Sequence, residues 1–332
     1  MIKIAIDAMG GDFAPQTIVE GVNKSIAKND DLELVLYGVP EEINKYLVPS
    51  DRVSIVSALT KLDMGEKNPI LAIRRDKELS LSKAFQAVHD KVCDGVVTAG
   101  PTQGVVVAAH MIIKKIPGMD RIALCPTLPK MGTKTKLLLD VGANVELKAE
   151  HVMEMAKFAS VYAELVLGRE NPLVGLVNIG SEAGKGRAQE KEAYKMLSEC
   201  KDINFYGNIE PKEMLLSDCD ILVASDGFSG NLVLKSIEGT AKAMSSVMKE
   251  EIKASLGGKI GYLFMRKNLR NLKNRMSGDD VGGALIFGVD GVVVKAHGAS
   301  NAYATSKAID LCYRAVKSQF LEKIKKGLNN EL

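Results

Sequence analysis

A regular alternation of short apolar segments with longer amphipathic segments constrains the fold of this chain most strongly. The short segments are rich in Ile, Leu and Val, and the longer ones place apolar residues at helical spacing. Strands are predicted at Ile2–Ile6, Leu32–Tyr37, Val53–Val56, Gly95–Thr98, Leu137–Asp140, Leu173–Asn178, Ile203–Tyr206 and Ile221–Ala224. Helices are predicted at Thr17–Ala27, Ser82–Lys91, Val105–Lys115, Ala149–Leu167, Gln189–Glu199, Gly230–Lys253 and Ala302–Lys326. Because parallel strands need long crossover connections, this order predicts an α/β fold with a mostly parallel sheet sandwiched by helices.

Length and composition limit the class of protein. A chain of 332 residues without a Pro-, Gly- or Ser-rich linker is expected to form a single large α/β unit over residues 1–332, with two lobes as the alternative. The five Cys form no closely spaced pair and no zinc spacing with His, which favours a reduced cytoplasmic protein without a metal site. A net charge of +3 does not indicate a nucleic-acid partner, and no apolar run is long enough to span a membrane.

Five predicted strand ends carry the same kind of loop, in which Gly stands beside a small polar residue or an acid. These loops are Asp7–Asp12, Thr98–Gly104, Asp140–Asn144, Asn178–Gly186 and Ser225–Asn231. One such loop is most simply a turn, because Gly and Asp favour turns. Since ligands bind beyond the carboxyl ends of parallel strands, the five together predict one polar cleft rich in backbone N–H donors, which suits phosphate or another oxyanion. Dinucleotide-binding, P-loop and nucleophile-elbow motifs are missing, which argues against those classes of enzyme.

The chain resembles the PlsX family of phosphate acyltransferases at motifs spread over almost its whole length. The clearest is Asp7-Ala8-Met9-Gly10-Gly11-Asp12, followed by Ala14-Pro15. Further matches, in order along the chain, are Met64–Glu66, Ala72–Arg75, Ala123–Pro129, Leu139–Asn144, Val161–Ala163, Gly175–Gly180, Gly184–Gly186, Asp226–Asn231, Gly282–Ala284 and His297–Ser300. This ordered set is much more specific than a single motif.

The resemblance implies an enzyme that moves a fatty acyl group from acyl carrier protein to inorganic phosphate. The product would be an acyl phosphate for phospholipid synthesis. The resemblance also implies a fold similar to isocitrate and isopropylmalate dehydrogenases and to phosphotransacetylase. It further implies a cytoplasmic homodimer that touches the membrane surface and uses no metal or redox cofactor.

Two positions at the expected site depart from the family pattern, and Arg187-Ala188-Gln189 after Gly186 is also unusual. The family's usual Ser-Ala-Gly-Asn-Thr-Gly loop is Thr98–Gln103 here, with Pro101 in place of the Asn. Proline has neither a side-chain donor nor a backbone N–H, so that amide is unavailable for binding. Many members have His directly after the first loop, where this chain has Phe13, and a general base is therefore excluded at that position.

Five residues are candidates for catalysis, because attack of phosphate on a thioester needs an aligned anion and donors for the developing oxyanion. Lys185 is expected to supply positive charge to the phosphate or the oxyanion. Asn144 and Asn231 are neutral donors suited to polarising the carbonyl, and His297 is suited to shuttling a proton or binding phosphate. Asp226 is expected to orient a cation or to cap a helix. For each residue a purely structural role is the alternative.

The expected substrate-binding residues lie in the Gly-rich loops, where backbone and hydroxyl groups can approach an anion closely. They are Asp7, Gly10, Gly11, Asp12, Thr98, Gly100, Thr102, Gly184, Gly186 and Gly230. The two acids among them are expected to orient a cation or a backbone amide, because a carboxylate repels phosphate. Phosphate is an anionic nucleophile near neutral pH, and a thiol with a pKa near ~8.5 leaves readily. Direct displacement without a covalent acyl-enzyme is therefore predicted.

Residues 252–278 are predicted to form a helical excursion from the main fold. The segment has seven basic residues and no acid, and its apolar residues recur at helical spacing. Such a basic amphipathic helix is typical of one that lies on an anionic membrane. The same surface suits the acidic acyl carrier protein. A dimer-packing helix with a solvated basic face is the third interpretation.

A decarboxylating dehydrogenase of the same broad fold is one rival, but the acidic metal ligands and the nucleotide loop that it needs cannot be assigned in this sequence. Two other functions stay open at the level of sequence. One is a phosphotransacetylase-type enzyme that uses an acyl-coenzyme A. The other is a non-catalytic scaffold that holds acyl carrier protein at the membrane. The first predicts turnover with a short acyl group, and the second predicts binding without turnover.

Overall fold

The computed structural model describes residues 1–128, 135–277 and 282–330, and for residues 273–277 and 327–330 it describes the backbone alone. The strands are β1 Ile2–Asp7, β2 Leu32–Gly38, β3 Val53–Ser57, β4 Gly95–Thr98, β5 Ala123–Leu128, β6 Lys136–Leu139, β7 Leu173–Val177, β8 Asn204–Ile209, β9 Ile221–Val223, β10 Ala284–Phe287 and β11 Val292–Lys295. The helices are α1 Gln16–Ile26, α2 Pro40–Ile43, α3 Pro69–Arg75, α4 Ser80–His89, α5 Thr102–Ala108, α6 Ala149–Leu167, α7 Ala188–Glu199, α8 Gly227–Ala254, α9 Leu256–Ser277, α10 Ala302–Lys317 and α11 Phe320–Asn330. Helix α5 continues as a π-helical turn over Ala109–Ile113.

In the part of the chain that the structure describes, the strands form one sheet of 11 strands in the order β3-β2-β1-β4-β11-β10-β5-β6-β9-β7-β8. Neighbours are parallel from β3 to β11 and again from β6 to β8. The pairs β11–β10, β10–β5 and β5–β6 are antiparallel. The mostly parallel sheet is therefore confirmed, but its two parallel halves run in opposite directions. Their carboxyl ends lie at opposite edges of the sheet.

Side chains that alternate along each strand build a hydrophobic core on both faces of the sheet. On β1, Ile4 and Ile6 pack into the core that includes Val19 of α1. Ala5, between them, packs into the core that includes Phe85 of α4. All five side chains are fully buried, and burial of an Ile, Val or Phe side chain stabilises a fold by about 1.5–3 kcal/mol. The same alternation decides which face a residue at a strand end points to.

The segment predicted as one helix over Ala302–Lys326 is two helices in the structure. Gln319 adopts a positive φ of 53°, which interrupts the helical path between α10 and α11. The turn buries Phe320, whose ring centroid lies 5.9 Å from that of Phe158 and 5.4 Å from that of Tyr162. The prediction of a continuous helix was wrong because this long-range aromatic contact is invisible to local periodicity. Strands β5, β10 and β11 were also missing from the predicted set.

The predicted excursion is a helix that begins later than expected. Ser255 has an extended conformation with φ of −131° and ψ of 156°, so the preceding helix ends before it. The hydroxyl of Ser255 accepts a hydrogen bond of 2.9 Å from the N–H of Gly258, which starts α9. Residues 239–277, which we call the helical arm, are largely exposed where their side chains are described. Gly278 of the excursion and Pro129 of the family motif lie outside the described residues. None of the described helices is long and apolar enough to cross a membrane.

Candidate active site

The loops that follow β1, β4 and β11 meet at one edge of the sheet, and we call them the first loop group (residues 7–12, 98–102 and 295–300). The N–H of Asp12 donates a hydrogen bond of 2.9 Å to the carbonyl of Gly298. A Cβ atom added at Gly10 would lie 2.9 Å from the backbone N of Gly100, so these two loops also touch. The group unites the predicted residues Asp7, Gly10, Gly11, Asp12, Thr98, Gly100, Thr102 and His297.

Asp7 lies buried at the centre of the first loop group. Its carboxylate accepts hydrogen bonds of 2.6 Å from the hydroxyl of Ser80 and 2.7 Å from that of Thr98. The Thr98 hydroxyl in turn accepts one of 2.9 Å from the N–H of Gly100. Burial raises the pKa of Asp7 although these hydroxyls and two backbone N–H groups donate to it. These contacts indicate that Asp7 shapes the loops instead of touching a substrate.

The backbone of the first loop group leaves room for glycine alone at two positions. A Cβ at Gly10 would lie 2.4 Å from a carboxylate oxygen of Asp7. Gly11 has a φ of 111°, which L side chains rarely adopt. The other side chains of the group lie at its rim, where Thr102 begins α5 and is exposed. His297 is also exposed, and its Nδ1 accepts a hydrogen bond of 3.1 Å from the N–H of Ala299, which leaves Nε2 to carry the proton of the neutral ring.

The loops that follow β6, β7 and β9 meet at the opposite edge, and we call them the second loop group (residues 140–144, 178–187 and 225–231). This group holds the remaining predicted residues Asn144, Gly184, Lys185, Gly186, Asp226, Gly230 and Asn231. A single cleft at one sheet edge was therefore a wrong expectation. The antiparallel strands in the middle of the sheet reverse the chain direction, which places the strand ends of the second half at the other edge.

Asp140 plays the same structural part in the second loop group as Asp7 does in the first. It is fully buried, and its oxygens accept hydrogen bonds from the N–H groups of Leu124, Ala143 and Asn144 at 2.9, 3.0 and 2.8 Å. The side-chain amide of Asn144 donates to Asp140 at 2.9 Å and to the carbonyl of Ile122 at 2.6 Å. Both amide hydrogens of Asn144 are therefore used, which favours its structural role over polarisation of a carbonyl.

Arg187 is a residue of the second loop group that sequence reasoning did not select. Its guanidinium donates to Asp226 at 2.7 Å and to Glu190 at 2.9 Å. The other oxygen of Asp226 accepts the N–H of Ser229 at 2.6 Å and so caps α8. Burial alone would raise the pKa values of both carboxylates, but the hydrogen-bond donors outweigh burial. They lower the pKa of Glu190 to about 2 and hold the pKa of Asp226 below its usual value. Both oxygens of Asp226 are engaged, which matches the predicted orienting and capping role.

The remaining predicted residues of the second loop group differ in exposure. Lys185 is exposed, and its ammonium lies 3.7 Å from the carboxylate of Glu182. Gly184 is open, with nothing within 4 Å of an added Cβ, whereas Gly186 has a positive φ of 88°. A Cβ at Gly230 would lie 1.9 Å from the carbonyl oxygen of Asp140, so only glycine lets α8 start this close to the loop. Asn231 is exposed, and its amide nitrogen would lie 3.3 Å from a Cβ at Gly142.

Lys295 is the second residue that sequence reasoning missed. It ends β11 in the first loop group and is half-buried, and its ammonium donates to the carbonyl of Ala296 at 2.9 Å. Burial and the nearby charge of Lys235 lower the pKa of Lys295 to about 8, against a smaller opposing effect of Asp12. The sequence feature that could have pointed to Lys295 is its position as the single Lys at the end of the apolar run Val292–Lys295. Among the described residues, no group of three His, Cys, Asp or Glu side chains is arranged to hold a metal ion.

The fold has counterparts among solved structures. A phosphotransacetylase from Streptococcus pyogenes superposes with a TM-score of 0.61 at 18% identity, covering 97% of this chain and 94% of that chain. A protein described as a 4-hydroxythreonine-4-phosphate dehydrogenase, from Salmonella typhimurium, gives a TM-score of 0.51 at 11% identity and covers 95% of this chain and 99% of that chain. At these identities the likeness shows the fold alone. It confirms the predicted dehydrogenase-like α/β architecture.

Sequence relatives match over the full length. A phosphate acyltransferase of Acholeplasma laidlawii is 44% identical over 333 residues, covering 100% of this chain and 99% of the relative. One from Exiguobacterium sibiricum is 42% identical over 323 residues, covering 97% of each chain. The family described as "Fatty acid synthesis protein" matches residues 2–323. The resemblance seen in the motifs is thereby confirmed, and the chain belongs to this fatty acid synthesis protein family, that of the phosphate acyltransferases.

Proposed function

We propose that this chain transfers a fatty acyl group from acyl carrier protein to inorganic phosphate, which yields an acyl phosphate for phospholipid synthesis. The observation that carries the proposal is the 44% identity, over the whole chain, to a protein named phosphate acyltransferase. The first loop group supports it, because closely packed Gly-rich backbone beside a half-buried lysine suits an anion. No cofactor takes part in the proposed reaction.

The proposed reaction is a direct displacement. A phosphate oxygen forms a bond to the thioester carbonyl carbon, and the carbon–sulfur bond then breaks with its electron pair on sulfur. The thiolate leaves and takes a proton from solvent or from a nearby acid. The protein aligns the phosphate beside the carbonyl and donates hydrogen bonds to the oxyanion that develops on the carbonyl oxygen.

Within this reaction the first loop group is proposed to bind phosphate. Gly10, Gly11 and Gly100 are proposed to bring the loop backbone close to the anion, although the N–H groups of Gly10 and Gly100 already donate to Asp7 and Thr98. Thr102 adds a hydroxyl at the rim. His297 is exposed beside them and is suited to protonating the departing thiolate. The carboxylates of Asp7 and Asp12 and the hydroxyl of Thr98 are proposed to hold these loops in place.

The second loop group is proposed to contribute charge from the loop between β7 and α7 and a neutral donor from the first turns of α8. Lys185 and Asn231 are its exposed polar side chains, and Gly184, Gly186 and Gly230 shape the backbone around them. Replacement of Lys185 by Ala is expected to lower turnover at least ~10-fold if its charge acts on the reacting groups, since that is 1.4 kcal/mol. Unchanged turnover in a folded variant would remove Lys185 from the mechanism.

Acyl phosphate formation tests the function directly. The protein is incubated with inorganic phosphate and either long-chain acyl-acyl carrier protein or acetyl-coenzyme A, and the acyl phosphate is trapped as a hydroxamate. We expect turnover with the carrier-protein substrate and little with acetyl-coenzyme A. The reverse preference would identify a phosphotransacetylase-type enzyme. Binding of the carrier protein without any acyl phosphate would identify a scaffold.

We also propose that the helical arm joins two copies of the chain and brings the homodimer, from the cytoplasm, to the membrane surface. Its large apolar side chains are exposed in the single chain, and Phe264 of α9 is 85% exposed. Apolar surface of this extent is usually covered by a partner or by lipid. The basic residues Arg266, Lys267 and Arg270 of α9 suit anionic lipid headgroups, and the acidic carrier protein as well.

Vesicle binding tests the membrane part of this proposal. Replacement of Arg266, Lys267 and Arg270 by Gln removes three charges, each worth about 1 kcal/mol near an anionic surface. We expect binding to phosphatidylglycerol vesicles to fall more than 10-fold, while binding by a Lys45→Gln control at an exposed site of the main body stays as it was. Equal binding by the triple variant and the control would rule out membrane contact through these charges.

A further inference from the structure

Lys295 stands in a row with two other polar residues at the ends of three adjacent parallel strands. Ile6 of β1 pairs with Val97 of β4, so Asp7 comes beside Thr98, and Thr98 pairs with Lys295 of β11. Residues side by side across a sheet project from the same face. The hydrogen bond of 2.7 Å between Thr98 and Asp7 shows this for the first pair. Lys295 therefore projects on the face that carries the polar centre of the first loop group.

The ammonium of Lys295 has little compensation for its charge. Its hydrogen bond goes to the carbonyl of Ala296 at 2.9 Å. Within the described residues no carboxylate lies at ion-pair distance from it. Asp12 opposes the fall in the Lys295 pKa less strongly than Lys235 promotes it, and Asp7 is already held by Ser80 and Thr98. A half-buried lysine in this position is costly, and its pKa is lowered to about 8 for that reason.

Helix α8 packs on the same face of the sheet and carries a second lysine. Val233 and Leu234 of α8 pack against the core on the face from which Lys295 projects. Lys235 follows them, about 12 Å along the helix from its start at Gly227, and its charge acts on Lys295. Glu238 pairs with Lys235 at 2.7 Å on the exposed side of the helix. The positive charges of Lys235 and Lys295 repel each other, and an anion bound close to both would relieve that repulsion.

We propose that Lys295 and Lys235 bind the phosphate that attacks the acyl thioester. The inference rests on the proposed function and names the phosphate ligands of that site. A phosphate dianion compensates both ammonium groups, and the backbone of Gly10, Gly11 and Gly100 lines the same loop group. Lys185, which lies in the second loop group at the other sheet edge, is not needed for this contact.

Phosphate-dependent thermal stabilisation and phosphate kinetics test this site in the full-length protein. The variants are Lys295→Met, Lys235→Met and, as a matched control on the exposed surface, Lys45→Met. We expect inorganic phosphate to raise the melting temperature of the native protein and of the control. The rise should disappear in Lys295→Met and shrink in Lys235→Met. The KM for phosphate should increase at least ~10-fold in Lys295→Met, equivalent to 1.4 kcal/mol, while the KM for the acyl donor stays within about twofold.

The outcomes separate this site from the function itself. Normal phosphate binding and a normal phosphate KM in folded Lys295→Met, with acyl phosphate still formed, would overturn the site and leave the function standing. Phosphate binding that depends on Lys295, in a protein that forms no acyl phosphate, would support the site and overturn the function. Because Lys235 is exposed, its variant remains informative if Lys295→Met fails to fold.

Discussion

A single buried carboxylate organises each of the two loop groups. Asp7 receives hydroxyl donors from Ser80 and Thr98, and Asp140 receives backbone N–H groups from its own loop and from β5. At each carboxylate, donors fixed in the protein take the place of water. These hydrogen bonds hold the Gly-rich loops in one conformation. The acids identified from the motif therefore hold the protein's own loops, and we propose that backbone groups and lysines bind the anion.

A methyl group at Gly10 is predicted to disrupt the first loop group. Its Cβ would lie 2.4 Å from the Asp7 carboxylate, so Gly10→Ala should displace that side chain and cost about 1–3 kcal/mol of stability. Acyl phosphate formation should fall at least ~10-fold. Gly65→Ala is the matched control, because nothing lies within 4 Å of its added Cβ. Equal activity of the two variants, measured in the hydroxamate assay, would contradict this role for Gly10.

Removal of the Arg187 guanidinium is predicted to destabilise the protein in a pH-dependent way. Arg187→Met leaves the carboxylates of Glu190 and Asp226 without their main cationic donor, at a cost of about 1–3 kcal/mol near neutral pH. The folded pKa of Glu190 is about 2, below its ordinary 4.5. Its stabilisation is therefore fully present above pH 4.5 and is lost as the pH falls toward 2.

Urea denaturation at about pH 6 and about pH 3 measures this effect. The difference in unfolding free energy between the native protein and Arg187→Met should be larger at the higher pH. The exposed Arg75→Met serves as a control and should show no such change. A difference that is independent of pH would show that Glu190 does not depend on Arg187.

At the scale of elements, α8 has two separate tasks. Its first turn is capped by Asp226 and packed against the Asp140 loop, and its second and third turns pack Val233 and Leu234 on the sheet. Beyond these turns the helix is exposed. The contacts of the first part position Lys235, while most of the large apolar residues of the second part are exposed in the single chain.

Two glutamates on the apolar face of α8 are predicted to separate the proposed dimer. Met244 and Val247 lie three residues apart on one helical face and are 63% and 55% exposed in the single chain. Met244→Glu with Val247→Glu would bury two unpaired charges in the interface, which is strongly unfavourable. Light scattering should then show one chain per particle instead of two. Lys242→Glu, on the opposite helical face, should remain dimeric, and a dimeric double variant would refute the interface.

At the scale of the whole molecule, one sheet couples the two parallel halves. Strands β10 and β5 hydrogen-bond to each other and to a strand of each half. Neither half can lose its strands without exposing the edge of the other. We therefore predict that residues 1–332 unfold as a single unit, with one calorimetric transition whose calorimetric and van't Hoff enthalpies agree. Two resolved transitions would favour two independent lobes.

Much of the architecture was readable from local patterns, whereas much of the site was not. The helix Ala149–Leu167 and the strand Gly95–Thr98 have the predicted bounds, because each buries a regular pattern of apolar residues. The Asp7–Asp12 motif led directly to the family. By contrast, Lys295 and Arg187 lacked any local signal strong enough to select them, since their roles depend on neighbours far away in sequence.

The sequence by itself determined the α/β class, most strands and helices, and the family, because these follow from periodicity and short motifs. Only the tertiary structure decided that Asp7 and Lys185 belong to opposite sheet edges. That separation comes from the three antiparallel pairs in the middle of the sheet. One of them, β10 with β5, joins residues near 285 to residues near 125, and local spacing in the sequence gives no sign of it. Tertiary packing also half-buries Lys295 and sets the charge of Lys235 near it, and desolvation then lowers the Lys295 pKa.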